Sequence, residues 1–451
     1  MSWYTKLVAN GIFPIHERLK KHNTVEIKNA MEASQWWSRE QILDFQDLRL
    51  QKLMHSVYEH VPYYKKVFDQ LEIKPNDIKS VADLAKLPFL TKTIIRENSD
   101  DLRADNAGPL ARFNTGGSSG EPLVFFIGNE RVSHDVAAKW RATRWWDVDI
   151  GDKEIVLWGS PIELGSQDYI RLVRDQLLRT KLLPAFEMTS SKLDDFVEAI
   201  IKTKPAMLFG YPSAFCLIVE HAEKRGISFR DLGIKVVFVT SERLYDHQRE
   251  TIETAFACPV ANGYGGRDAG FIAHQCPQGS MHITAEDIVV EIIDTEGNVL
   301  PTGQTGEIVI THLATREYPF LRYRTGDIAA LSEETCACGR GLPLLKDLQG
   351  RSTDFIVALD GTIMHGLALI YVIRDLNSVE EFKIIQETQT TTRVLLVPNK
   401  EFNAQQEALI VSGFKQRLGE DVDIVVEQVK EIPAERSGKM RYVVSHVEAN
   451  S

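Results

Sequence analysis

At 451 residues the chain is longer than a single compact core usually allows, about 250–300 residues, so at least two structural units are expected. Charged residues make up 25% and hydrophobic residues 43%, the balance of an ordinary folded protein rather than a disordered or fibrous one. A net charge of −11 argues against a general nucleic-acid or anionic-membrane binder, which would show a basic excess, while leaving room for a phosphate site built from a few local donors.

No run of about eighteen apolar residues marks a transmembrane helix. The first segment, MSWYTKLVANGIFPIHERLKK, lacks a long apolar core and a small-residue cleavage site, so no signal peptide is expected. Its aromatic and basic residues suit an amphipathic helix, either packed on its own domain or lying at a surface. Residues 24–105 read as mainly helical. Ser38 caps a stretch whose apolar residues recur every three or four positions, and Pro88 ends a later helix. From about residue 111, strand-like EIVLWG, AMLFG and KVVFVTSE alternate with helical LDDFVEAIIK and SAFCLIVEHAEKRG, which predicts an α/β sheet. Residues 281–331 alternate around glycine-rich turns and predict a β-meander or small barrel. The last hundred or so residues combine VEEFKIIQET and TTRVLLVP with a helical NAQQEALIVSGFKQRLG. They read as a separate small α+β unit, so the expected domains are 1–350 and 351–451, with the boundary near Gly350–Asp354.

The strongest local feature is FNTGGSSGEPLVFF at 113–126, with strand-like residues on both sides. Glycines let backbone N–H groups approach an anion closely, and the hydroxyls of Thr115, Ser118 and Ser119 add donors. The Gly-Lys-Ser/Thr ending of a Walker loop is missing, and a plain hairpin turn has the same composition.

Further segments follow in order: VTSERL at 239–244, YGGRDAG at 264–270, RYRTGD at 322–327, GRSTD at 350–354 and RSGKMR at 436–441. The ordered set resembles the adenylate-forming superfamily, in the branch of the phenylacetate–CoA ligases and CapK-like proteins. HVPYYKKVFD and KLPFLTK in the helical lead-in are similar to that branch too. The resemblance implies a large multi-layer adenylate-forming domain with a β-rich distal part, plus a mobile C-terminal lid. It implies that a carboxylic acid attacks the α-phosphate of ATP, giving acyl-AMP and pyrophosphate. Thr115, Gly116, Gly117, Ser118, Ser119 and Gly120 then look like the loop around the β- and γ-phosphates. Asp327 resembles the carboxylate that accepts both ribose hydroxyls. Ser241 and Glu242 resemble the segment that borders the adenine, Tyr264 resembles the family's aromatic that stacks on it, and Gly265 is a further cofactor-binding candidate. Asp268 stands where the family usually has a Glu that helps to hold Mg2+. Arg351 and Asp354 match the interdomain hinge, and Lys439 the catalytic lysine of the lid.

Trp158, Tyr211 and Pro212 lie near family segments that line the acid pocket, which would suit an aryl acid. Coenzyme A is the first expected acyl acceptor and an amine the second; a homodimer is a further expectation. Cys276, His282, Cys336 and Cys338 form a candidate Cys3His zinc set, with His274 competing for the nitrogen position. Five cysteines, an odd and scattered count, point otherwise to reduced thiols in the cytoplasm, with Cys216 in a core.

Overall fold

A computed structural model describes residues 2–114, 123–158, 169–185, 188, 190–350, 355–361, 363–374, 376, 378–432 and 443–447. The phosphate-loop candidates Thr115, Gly116, Gly117, Ser118, Ser119 and Gly120, the hinge pair Arg351 and Asp354, and Lys439 lie outside the described residues.

Strands β1 (Ala111–Asn114) and β2 (Val124–Ile127) pair antiparallel, with Asn114 opposite Val124, so the two ends of the glycine-rich segment emerge side by side. Five strands then run parallel: β3 (Glu154–Trp158), β4 (Thr180–Pro184), β5 (Met207–Gly210), β6 (Val236–Thr240) and β7 (Val260–Gly266). Every position of β5 and β6 is buried, because helices cover both faces; their unbroken apolar runs are the sequence form of that burial. Helices Ser190–Thr203 and Pro212–Lys224 pack Phe196, Phe215 and Val219 against Leu208 and Val239. Cys216 is part of this core, as expected.

The sheet does not stop at β7. Strands β8 (Gly270–Gln275), β9 (Met281–Ile283), β10 (Ile288–Ile293), β11 (Thr305–His312), β12 (Tyr323–Ser332) and β13 (Leu344–Gly350) continue it antiparallel. The order is β10-β11-β12-β13-β9-β8-β7-β6-β5-β3-β4, eleven strands among the described residues. The meander expectation holds here, but the strands extend the large sheet rather than close a small barrel of their own.

The helical lead-in covers the antiparallel half. Helix Arg39–His60 opens with a reciprocal capping box, Ser38 Oγ accepting from Gln41 N at 3.2 Å and Gln41 Oε1 from Ser38 N at 2.9 Å. Its buried face, Ile42, Gln46, Leu50, Leu53, Met54 and Val57, follows the helical period and joins one core with Ile283, Ile288 and Tyr323. Gln46 Nε2 donates to the carbonyls of Ala285 and Ile288, and Arg49 to Asp287 Oδ1 at 2.8 Å. Arg141, on helix Asn129–Arg144, meets Glu286 Oε1 at 2.7 Å, and Ser34 Oγ donates to the same oxygen at 2.6 Å. These buried contacts tie three distant stretches of chain to one loop between β9 and β10.

Beyond residue 354, β14 (Phe355–Val357) and β15 (Ile363–His365) form a hairpin. Strands β16 (Val379–Thr388), β17 (Thr391–Pro398), β18 (Asp423–Gln428) and β19 (Val443–Ser445) form a second sheet in the order β18-β17-β16-β19. Helices Leu367–Arg374 and Ala404–Leu418 pack Ile370, Ile410 and Phe414 on Ile384, Val394 and Leu396. The small α+β unit expected at the C-terminal end is therefore present, with a sheet and a core of its own.

Candidate active site

The parallel strands deliver their C-terminal ends to one edge of the sheet. From β3 the chain moves out to β4, then returns to the other side of β3 for β5, so the crevice between β3 and β5 is the point where the winding reverses. Ligand sites in such sheets gather at that edge, where helix starts and loop residues converge. Trp158 at the end of β3 and Tyr211 just after β5 stack there, with ring centroids 4.8 Å apart and planes at 21°.

Ser241, the first residue after β6, has φ +70°, a left-handed conformation that turns the chain sharply out of the sheet. Glu242 then folds back, and its Oε2 accepts from the backbone N–H of Ser213 at 3.2 Å, in the first turn of helix Pro212–Lys224. Burial pushes the Glu242 carboxyl up to about 7, against the lowering effect of that hydrogen bond. Glu242 thus ties the β6 loop to the start of a helix, a bond that spacing alone does not announce.

Two Tyr–Asp pairs cross between β12 and the β7–β8 turn. The Tyr264 hydroxyl donates to Asp327 Oδ2 at 2.9 Å, and the Tyr323 hydroxyl donates to Asp268 Oδ2 at 2.6 Å. Each strand segment thus contributes one tyrosine and one aspartate, and each pair spans the sheet to the other segment. The backbone sets this up. Between β11 and β12 the register slips at Glu307/Val309, with Gly326 at φ +81°, and the slip accompanies the turn of Asp327 toward Tyr264. A second slip at Tyr264/Gly265 lets Gly265 approach Gly270 so closely that a Cβ there would lie 2.2 Å from the Gly270 carbonyl oxygen.

Asp268 is fixed further. Its Oδ1 accepts from the Ala269 N–H at 3.1 Å, and its carbonyl accepts from the Arg131 guanidinium at 3.3 Å. Asp327 N donates to Thr325 Oγ1 at 3.1 Å, whose hydroxyl donates to the Ile308 carbonyl. Arg324 pairs with Glu307, and Glu307 also accepts from Gly326 N at 3.2 Å. Tyr323, Arg131 and Glu307 were not singled out from sequence as site residues. Each acts through a partner 17 to 137 positions away, and no local pattern carries that information.

The cysteine cluster assembles from the end of β8, strand β9 and the β12–β13 connection. Cys276 Sγ lies 3.6 Å from Cys336 Sγ, and Cys338 Sγ lies 3.3 Å from His282 Nε2. The four ligand atoms all fall within 4.8 Å of one another. Tetrahedral zinc would set edges of about 3.8 Å between sulfurs and about 3.6 Å from sulfur to nitrogen, so the donor set fits that ion. His282 rather than His274 joins the cluster. His282 lies on β9, directly beside β13, opposite Leu344, whereas His274 is one strand farther away on β8. His274 instead stacks on Phe271 at 5.4 Å, and burial pushes its imidazole down to about 3.

The chain thus combines a large mixed sheet, with its candidate residues at one edge, and a small C-terminal α+β unit. An AMP-binding enzyme model matches residues 182–315, and a CapK C-terminal domain model matches residues 356–446. Protein CapK of Staphylococcus aureus is 25% identical over 439 residues, covering 96% of this chain and 94% of that protein. The phenylacetate-coenzyme A ligase of Aromatoleum evansii is 28% identical, covering 69% of this chain and 71% of that enzyme. A crystal structure of 2-hydroxyisobutyryl-CoA ligase with 2-HIB-AMP and CoA shares the fold, with a TM-score of 0.66 at 22% identity, over 90% of this chain and 89% of that one. The chain is therefore similar to CapK over nearly its whole length and to the phenylacetate-coenzyme A ligases over about two-thirds of it.

Proposed function

We infer that the chain is an AMP-forming acid–CoA ligase. It activates a carboxylic acid as its acyl-adenylate, with release of pyrophosphate, and passes the acyl group to the thiol of coenzyme A. Similarity to phenylacetate–CoA ligases over about two-thirds of both chains supports this reading. The observation that carries it is the Tyr264–Asp327 hydrogen bond at the ligand edge of the sheet.

In the first step a carboxylate oxygen bonds to the α-phosphorus and the bond to pyrophosphate breaks. Both partners are anionic, so the protein must supply position and positive charge rather than a covalent nucleophile. Asp327, oriented by Tyr264, offers two carboxylate oxygens to a vicinal ribose diol. Tyr264, Ser241 and Gly265 border the adenine, and Glu242 holds the Ser241 turn in place from the helix start. Asp268, held by Tyr323 and Ala269, would bind magnesium, which when present neutralises phosphate charge. The 115–120 loop is assigned to the β- and γ-phosphates, Lys439 to the charge developing at the α-phosphate, and Arg351 to a hinge on which 351–451 moves as a lid over 1–350. In the second step the CoA sulfur bonds to the acyl carbon, and AMP leaves. The Trp158–Tyr211 stack at the winding reversal suits an aryl acid.

Pyrophosphate exchange across aryl, fatty, amino and uronic acids identifies the acid, and AMP release with CoA or with an amine identifies the acceptor. The second reading takes an amine as the acceptor, giving an amide from the same adenylate. Lys439→Ala should lose exchange by orders of magnitude while ATP still binds; exchange at the wild-type rate would remove the lysine from this role.

Cys276, His282, Cys336 and Cys338 are proposed to hold a structural zinc, since all four positions are filled by protein and none is left open for catalysis. One zinc per chain by elemental analysis, and a melting temperature that falls on chelation, would support it; metal-free protein of unchanged stability would refute it. The five cysteines are all free thiols, which fits a cytoplasmic setting.

A further inference from the structure

The N-terminal segment has two faces with different jobs. Helices Trp3–Leu7 and Phe13–Leu19 are joined by a π-helical turn, Val8–Ile12. The inner face is anchored: Val8 and Phe13 pack with Trp140 and Ile150, and Thr5 Oγ1 donates to Asp152 Oδ1 at 2.7 Å. The wider π turn keeps Val8 and Phe13 on that inner side although five positions separate them. The outer face carries Trp3, Leu7, Ile15 and Leu19, with 75%, 48%, 60% and 80% of their surface exposed. Helix Tyr169–Leu178 extends the patch with exposed Val173 and Leu177, and is joined to it by the Tyr4 hydroxyl on the Leu177 carbonyl and by Arg179 lying 4.3 Å over the Tyr4 ring. Single exposed leucines are ordinary, but large apolar side chains gathered along one face mark an interaction surface.

The charges around that face indicate the partner. Lys6, Arg18, Lys20 and Lys21 are exposed among the apolar side chains. The one acid of the segment, Glu17, is 4% exposed and turned inward, where its carboxylate meets His16, His22 and Thr24. A locally cationic face on a chain of net charge −11 is complementary to an anionic surface even though the whole molecule is not. Cations interleaved with Trp and aliphatic side chains on a helix lying flat are the pattern of interfacial membrane binding. We propose that this face docks the enzyme on an anionic lipid bilayer, with Trp3, Leu7, Ile15 and Leu19 entering the headgroup boundary and the four cations on lipid phosphates. The ligase then works at a membrane surface rather than free in solution.

Co-sedimentation of the full chain with phosphatidylcholine vesicles, with and without phosphatidylglycerol, tests this. Binding is expected only with phosphatidylglycerol and should weaken with added salt. Lys6→Gln, Arg18→Gln and Lys21→Gln should each lower the partition coefficient by about fivefold, from roughly 1 kcal/mol per cation near an anionic surface. A variant combining Trp3→Ser, Leu7→Ser, Ile15→Ser and Leu19→Ser should lose binding. Melting temperature monitors the fold of every variant, and the three charge variants suffice if the serine variant does not fold. Equal binding to neutral vesicles, no binding to either, or unchanged binding of the charge variants overturns the proposal. So does a dimer in size exclusion that dissociates in the serine variant while vesicles capture nothing, which would make the face an interface between copies. None of these outcomes depends on which acid or acceptor the enzyme uses.

Discussion

The two halves of the large sheet solve the same packing problem in opposite ways. Strands β5 and β6 of the parallel half are buried at every position and apolar up to Thr240, the last residue of β6, so their polar chemistry gathers at their ends, as with Ser241 and Tyr211. The antiparallel half mixes buried and partly exposed positions and carries polar groups within its strands: Asp327 sits inside β12 and His282 inside β9. The crossed Tyr–Asp pairs lie where the two modes meet, at the turn from the last parallel strand to the first antiparallel one. The register slips that accompany the aimed carboxylates fall in antiparallel pairings, and none falls between the described parallel strands of this sheet.

That division can be broken at several points, in descending order of effect. The largest loss should come from Arg141→Met, which strands the buried Glu286 carboxylate between helix Asn129–Arg144 and the β9–β10 loop. Breaking a buried pair costs about 3–5 kcal/mol, read as a lower midpoint in urea with little change in slope. A loss below 1 kcal/mol would mean that the two regions are not held by this contact. Asp327→Ala should leave stability close to wild type but raise the ATP KM on the order of 10²-fold, because two hydrogen bonds to a charged group are lost. A stability loss with unchanged KM would make Asp327 part of the frame instead. Tyr264→Phe keeps the ring and removes only the hydroxyl, so about 1.5–3 kcal/mol of ATP binding should be lost, about tenfold or more in KM. The smallest effect concerns pH. His274 is buried neutral and its pKa is pushed down from 6.5 to about 3, so the folded state resists the proton that the unfolded chain accepts. Its contribution to stability is complete above about 6.5 and is lost as pH falls toward 3. His274→Phe should flatten the decline in melting temperature between those limits; an unchanged slope would assign the acid sensitivity to other buried groups.

Much of this arrangement was legible along the chain. The apolar runs of β3, β5 and β6, the Ser38 cap and the separate C-terminal unit follow from burial pattern and local hydrogen bonding, which adjacent residues encode. Asp327, Tyr264 and Asp268 were singled out as candidates from short motifs, but which tyrosine holds which aspartate was not legible there. The partners are 63 and 55 residues apart, and the pairing depends on slips at Glu307/Val309 and Tyr264/Gly265 that shift a strand without leaving a composition signal. The four zinc-type residues could be named from sequence, yet the choice of His282 over His274 required the order β13-β9-β8. The distal segments read as a meander around glycine-rich turns, but such turns are the same for a closed barrel and for the extension of an open sheet.

By itself, the sequence determined which segments become helix or strand, that a small second α+β unit follows the large sheet, and which residue types are available for phosphate, ribose and metal. Those properties depend on near neighbours, on the helical and strand periods, and on the burial each period implies. Tertiary structure alone decided that one sheet joins both strand modes, that Tyr323 fixes Asp268 while Tyr264 fixes Asp327, and that the cations of the first helices face outward while Glu17 turns in. Each of these depends on strand order, register or the side a helix presents. Such choices are set by summed packing across the whole molecule, not by any stretch short enough to be read as a motif.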